Sequence, residues 1–151
     1  MSEKEAGARQ GTGVKSMLGI LVVTHGRLAM ELVNAARMIV GDLENVQAVS
    51  IGWNDDATDA RDRIGSAMNE INRDRGILIL TDMFGGTPTN IALTFLEKER
   101  VEVLTGVNLP MLIKLSGTGA DETLTAVAQK IRAQGQKSIY VASEVLARME
   151  E

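Results

Sequence analysis

Residues 77–90, Ile-Leu-Ile-Leu-Thr-Asp-Met-Phe-Gly-Gly-Thr-Pro-Thr-Asn, constrain the chain more than any other stretch. The apolar run Ile77–Leu80 reads as a strand buried on both faces. Asp82 stands where that strand should end. Gly85 and Gly86 follow, able to take backbone angles closed to other residues. Thr87 then reads as a helix N-cap and Pro88 as the first helical position. A strand thus ends on an acid, turns through glycines and opens a helix. The N–H groups of such a helix start have no carbonyl partner and favour an anion. Gly85, Gly86 and Thr87 are therefore the candidate phosphate cradle, and the other half of the site should come from elsewhere in the chain.

The remaining sequence repeats the strand-then-helix pattern. Leu18–Thr24 is a near-continuous apolar run that ends at His25-Gly26. Leu28, Leu32, Ala35, Ala36 and Ile39 recur at helical spacing, and Gly41 suits the position after that helix, with Arg37 in its last turn. Val46–Ile51 is a second strand. Asp56 is a candidate N-cap for a helix burying Ile64, Ala67, Met68 and Ile71, and Gly76 breaks that helix. A helix from Pro88 to about Glu97 and a strand over Val101–Val107 follow. Asn108-Leu109-Pro110 reads as a turn. Asp121 is expected to cap a helix carrying Leu124, Val127, Ala128 and Ile131, ended by Gly135. Ser138–Ala142 reads as a final short strand before an acidic tail.

This alternation predicts an α/β layered fold, doubly wound, with a mostly parallel sheet. The common strand order places the first and third strands side by side, and ligands bind at their carboxyl ends where the order reverses. His25 and Asp82 are then expected at one switch point. Residues 17–151 are expected to form one domain, with residues 1–16 a flexible N-terminal extension. Val101–Thr105 would be an open sheet edge, for which Ser138–Ala142 is the available partner, within the chain or by exchange in a dimer.

Composition narrows the chemistry. The chain has 151 residues, 44% hydrophobic, enough for a full core. The net charge of −4 argues against nucleic acid or an anionic membrane as partner. With no cysteine and one histidine, neither a disulfide, a cysteine nucleophile nor a metal centre is expected, and no cofactor is implied. No apolar run approaches the roughly 18 residues of a membrane span. Residues 1–16 lack the apolar core of a signal peptide, so a cytoplasmic location is expected.

A carboxylate accepting from the imidazole Nδ1–H would leave Nε2 as a nucleophile and stabilise positive charge on the ring. With backbone donors nearby for phosphoryl oxygens, the pair His25 and Asp82 suits phosphoryl transfer onto histidine. Trp53, Met83 and Phe84 follow strand ends and are expected near the site mouth, either exposed for docking or packed under the loops.

Three motifs carry a family resemblance: Thr24-His25-Gly26, Asp82-Met83-Phe84-Gly85-Gly86-Thr87-Pro88, and Gly106-Val107-Asn108-Leu109-Pro110-Met111. In this order, after the first, third and fourth strands, they resemble enzyme IIA of the mannose family of the bacterial sugar phosphotransferase system, over about residues 17–142. The resemblance implies that His25 accepts a phosphoryl group from the histidine-containing phosphocarrier protein and passes it to a IIB component. It implies that Asp82 pairs with His25 and that Thr87 helps hold the phosphoryl group. It further implies a homodimer whose C-terminal strand crosses to the partner's sheet, and an indirect membrane association through the transporter. No IIB domain follows, so the acceptor is expected on a separate chain. In this family the membrane subunits set the sugar. A response-regulator receiver would also place an aspartate after its third strand, but needs an acidic pair where Thr24-His25 stands. A dihydroxyacetone-kinase phosphotransferase subunit and a regulatory module read out by its phosphorylation state are the remaining alternatives.

Overall fold

The computed structural model describes residues 17–71, 73–118 and 121–150. Residues 1–16, expected to be an extension, lie outside that set. Four strands, β1 (Gly19–His25), β2 (Val46–Ile51), β3 (Ile77–Thr81) and β4 (Val101–Thr105), form one parallel sheet in the order β2-β1-β3-β4. Six helices accompany them among the described residues: α1 (Leu28–Val40), α2 (Ala57–Glu70), α3 (Thr87–Leu93), α4 (Leu109–Leu115), α5 (Leu124–Lys137) and α6 (Ala142–Met149). The doubly wound α/β architecture expected from the sequence is the one observed.

The two central strands are apolar because both faces are covered. Leu21, Val22, Val23, Leu78, Ile79 and Leu80 are fully buried, each stabilising the fold by about 1.5–3 kcal/mol relative to exposure. Alternate residues feed two cores. Val22, Leu78 and Leu80 pack with Ala29, Val33 and Ala36 of α1, with Met111 and Leu112 of α4, and with Val127 and Ile131 of α5. Leu21, Val23, Ile77 and Ile79 pack with Ile64, Ala67 and Met68 of α2 and with Ile91 and Ala92 of α3. The strand order reverses between β1 and β3, and the covering helix changes face at the same step, as crossovers of one hand require.

Several local readings hold. Asp56 caps α2, accepting from the Thr58 N–H at 3.0 Å. Ile64, Ala67, Met68 and Ile71 are all buried. Gly41 closes α1 at φ +82°, donating its N–H to the Arg37 carbonyl at 2.9 Å.

Others shift. In α1 the buried positions are Ala29, Val33 and Ala36, while Leu28 and Ile39 are exposed. The period is right but turned by one residue, because the Thr24 hydroxyl fixes the helix start by accepting from the Ala29 N–H at 2.6 Å. Thr87 is the first residue of α3 rather than its cap; Gly86 holds that place, with no side-chain cap. The helix ends at Leu93, not near Glu97. Residues 108–110 open α4, with the Asn108 side chain accepting from the Met111 N–H at 3.2 Å. Thr123, not Asp121, caps α5. Gly135 lies inside α5, where a Cβ would sit 2.7 Å from Met111 Sδ. There the missing side chain makes room for α4 instead of ending a helix.

The largest correction is at the C-terminus. Ser138–Ala142 forms no strand with the sheet of its own chain; Ala142 begins α6. Ala142, Val145, Leu146 and Met149 follow helical spacing, which the reading of an acidic tail overlooked. No residue of α6 is buried, and Ile139, Tyr140 and Val141 are exposed.

Candidate functional site

The switch point brings the two halves of the site together. β1 and β3 pair in register from Gly19↔Ile77 to Val23↔Thr81, so His25 and Asp82 leave the sheet beside one another. Asp82 Oδ2 lies 2.8 Å from His25 Nδ1 and accepts the His25 backbone N–H at 3.0 Å. Asp82 Oδ1 accepts the Met83 N–H at 3.1 Å. Both carboxylate oxygens are therefore committed, which fixes the carboxyl plane against the ring.

The electrostatics follow from this geometry. Burial alone would raise the Asp82 carboxyl above its ordinary value. The hydrogen bonds from the His25 ring and backbone, with the attraction between the two groups, outweigh it and hold the carboxyl below 3.8. Asp82 is thus an ionised acceptor at neutral pH. Nδ1 must then carry the proton when the ring is neutral, and Nε2 presents the lone pair. The Asp82 side chain is 13% exposed and that of His25 48%, so the acid is held inside while the ring reaches solvent.

Nε2 faces the glycine loop. Gly85 and Gly86 take φ +91° and +82°. A Cβ built on Gly86 would lie 3.0 Å from His25 Cε1 and 3.1 Å from Nε2. The backbone approaches Nε2 this closely only because no side chain intervenes. Gly85 has open space around its Cα, so its positive φ, not crowding, is what calls for glycine there. Thr87 is exposed on the first turn of α3, next to Gly86, where the helix N–H groups lack intrahelical partners.

The third motif reaches the same place: the Val107 N–H donates to the Thr81 carbonyl at 2.9 Å, tying the end of β4 to the end of β3. Trp53, Met83 and Phe84, which two opposite readings left as exposed or packed under loops, are exposed, Trp53 by 98% and Phe84 by 76%. Sequence reading passed over Thr24, Thr81 and Thr89, the buried polar residues among those described. The signal was present: a threonine stands directly before each member of the pair, as Thr24-His25 and Thr81-Asp82.

Comparison with known proteins follows the same lines. A family model described as the PTS system fructose IIA component, EIIA-man, matches residues 19–132. The chain is 29% identical to the fructose-specific EIIA component of Bacillus subtilis, over 88% of this chain and 92% of that protein. It is 30% identical to the mannose-specific EIIAB component of Escherichia coli, covering 81% of this chain but 39% of that longer protein. Among solved structures, the PTS IIA protein associated with the fucose utilization operon of Streptococcus pneumoniae superposes with a TM-score of 0.77 at 26% identity, over 88% of this chain and 98% of that one. The sigma-54 interaction domain protein of Enterococcus faecalis, at 17% identity and a TM-score of 0.65, shares the fold alone. The chain belongs to the mannose-type IIA family of the sugar phosphotransferase system, whose members are phosphoryl-transfer components of sugar uptake.

Proposed function

We propose that this chain is a cytoplasmic phosphoryl carrier in which His25 Nε2 accepts the group. The lone pair on Nε2 attacks the phosphorus of a phosphohistidine on the histidine-containing phosphocarrier protein. The P–N bond to the donor ring breaks, and its electron pair returns to the donor imidazole. Asp82 keeps its hydrogen bond to Nδ1–H and offsets the positive charge that forms on the His25 ring. Gly85, Gly86 and the N–H of Thr87 are the candidate cradle for the phosphoryl oxygens, where positioning and charge stabilisation supply most of the acceleration. The second half-reaction runs the same chemistry toward a IIB component. One observation carries this reading: an ionised Asp82 2.8 Å from Nδ1, with Nε2 turned to the side-chain-free Gly86.

Residues 17–151 act as one IIA unit in this reading, and the working form is a homodimer. β4 pairs with no further strand on its outer edge beyond the Glu97–Val101 bridge, and the apolar Ile139-Tyr140-Val141 are exposed; a second copy satisfies both needs.

The test is incubation with phosphorylated carrier protein, then mapping of the label. One acid-labile phosphoryl group on His25 is expected. An alkali-labile group on Asp82, or none on His25, would overturn the assignment.

A further inference from the structure

Thr89 is the third residue of α3, fully buried, and its hydroxyl meets two oxygens. It sits 2.8 Å from the Thr81 hydroxyl and against the Met83 carbonyl. A hydroxyl has one proton, and a carbonyl only accepts. The Thr89 proton therefore goes to Met83, and Thr81 supplies its own proton to Thr89. The result is a directed chain from the end of β3, through α3, to the loop that follows Asp82.

That loop carries both sides of the reactive ring. The Met83 N–H holds Asp82 Oδ1, while Asp82 Oδ2 holds Nδ1. Further along, Gly86 stands against Nε2. Between them, Gly85 and Gly86 supply little stiffness of their own. The Asn90 N–H donating to the Gly86 carbonyl at 3.0 Å fixes the far end of the loop to the helix. Thr89 fixes the near end. Without its hydroxyl, the peptide after Met83 would lose its tie to α3, and the loop would be less fixed on either side of it, back to Asp82 and on to Gly86.

We infer that Thr89 is a positioning residue for phosphoryl transfer: its hydroxyl clamps the Met83 carbonyl and so holds Asp82 and Gly86 in register on the two nitrogens of His25. The inference rests on His25 being the phosphoacceptor, but the state of the imidazole can be read without any transfer. The chain holds a single histidine, so the imidazole ¹⁵N signals belong to His25 alone.

The experiment compares Thr89→Val, Thr89→Ser and Thr81→Val in the full chain, by quench-flow transfer from phosphorylated carrier and by imidazole ¹⁵N NMR. Thr89→Val should lower the saturated transfer rate by about ten- to a hundredfold, the scale on which small misplacements of reacting groups act. The half-saturating carrier concentration should change less than the rate, because Thr89 itself is buried and cannot touch the carrier. The fraction of neutral ring protonated on Nδ1 should fall. Thr89→Ser keeps the hydroxyl and should restore both readouts. Thr81→Val removes a hydroxyl from the same buried pair yet leaves the bond to Met83, so it should slow transfer less than Thr89→Val. A Thr89→Val protein with wild-type rate and tautomer, or equal losses in Thr89→Val and Thr81→Val, would overturn the inference. If Thr89→Val does not fold, Thr89→Ala is read by the same criteria. Wild-type protein that takes no label on His25 would refute the phosphoacceptor reading instead, and the tautomer measurement would still decide the role of Thr89.

Discussion

Two regions of the molecule display apolar side chains to solvent, and they do so for different reasons. At the carboxyl ends of β1 and β3, Phe84 and Met83 project from a loop whose backbone is tied to the Asp82 carboxylate, to the Thr89 hydroxyl and to α3. Every strut of that region comes from the same chain. At the C-terminus, Ile139, Tyr140, Val141, Leu146 and Met149 are exposed on a segment that leaves α5 and buries nothing. The first region is complete and presents a surface. The second buries nothing against its own chain, and in the proposed dimer a second copy covers it. Exposure alone does not distinguish a docking face from an unfilled seam; the state of the backbone beneath it does.

His25→Ala should break the comparison most sharply. Transfer should be abolished, since no second histidine exists to take over, while the thermal midpoint and oligomeric state stay near wild type. Truncation before Ser138 should give the reverse: loss of the dimer and of stability. Mass spectrometry after incubation with phosphorylated carrier reads the first, and sedimentation at micromolar concentration reads the second. A stable truncated monomer would remove the seam reading and leave the His25 chemistry standing.

Two glycines sharpen the same contrast. Gly86 occupies φ +82°, ψ +168°, a region nearly closed to other residues, and faces Nε2. Gly86→Val should cost about 1–3 kcal/mol in strain and reduce transfer far beyond that loss. Gly135 touches Met111 rather than the site. Gly135→Ala should crowd Met111 by about 1–3 kcal/mol, partly offset by about 1 kcal/mol of helix propensity, with the transfer rate unchanged. Chemical denaturation and transfer kinetics on both variants separate the two roles.

These glycines also mark how far the sequence could be read. The site was legible because topology does the work: once strand and helix alternate, the ends of the first and third strands must meet, and His25 and Asp82 sit there. Helix limits were less legible where several residues compete for one job. Asp121 and Thr123 are both good caps, and the burial of Leu124 and Val127 selects Thr123. Gly135 looks like a helix stop, but its use depends on Met111, far away in sequence. Residues 138–142 have a strand's composition with no strand of this chain beside them, so local pattern could not fix their state. The threonines beneath the site were hidden by their own ordinariness: a threonine ending a strand is common, and only the packing of α3 shows which atoms Thr89 reaches.

The smallest expected effect lies in the His25–Asp82 contact itself. The folded-state value of the Asp82 carboxyl is below its ordinary 3.8, so the folded chain binds fewer protons at this group than the unfolded chain does. Its contribution to stability is therefore fully present above 3.8 and is lost as pH falls through the lowered value. Because the His25 ring is 48% exposed, solvent screens the pair, and the contribution is discounted to about 0.2–1 kcal/mol. Asp82→Asn lacks that titration. The stability difference between wild type and Asp82→Asn, taken from urea midpoints at neutral pH and again in strong acid, should shrink on acidification. At neutral pH the same variant should transfer phosphate slowly, because an amide offers no charge to the ring and can present its N–H to Nδ1, turning the proton to Nε2. A pH-independent stability difference, with slow transfer retained, would mean that Asp82 serves the reaction through tautomer selection and gives the fold nothing.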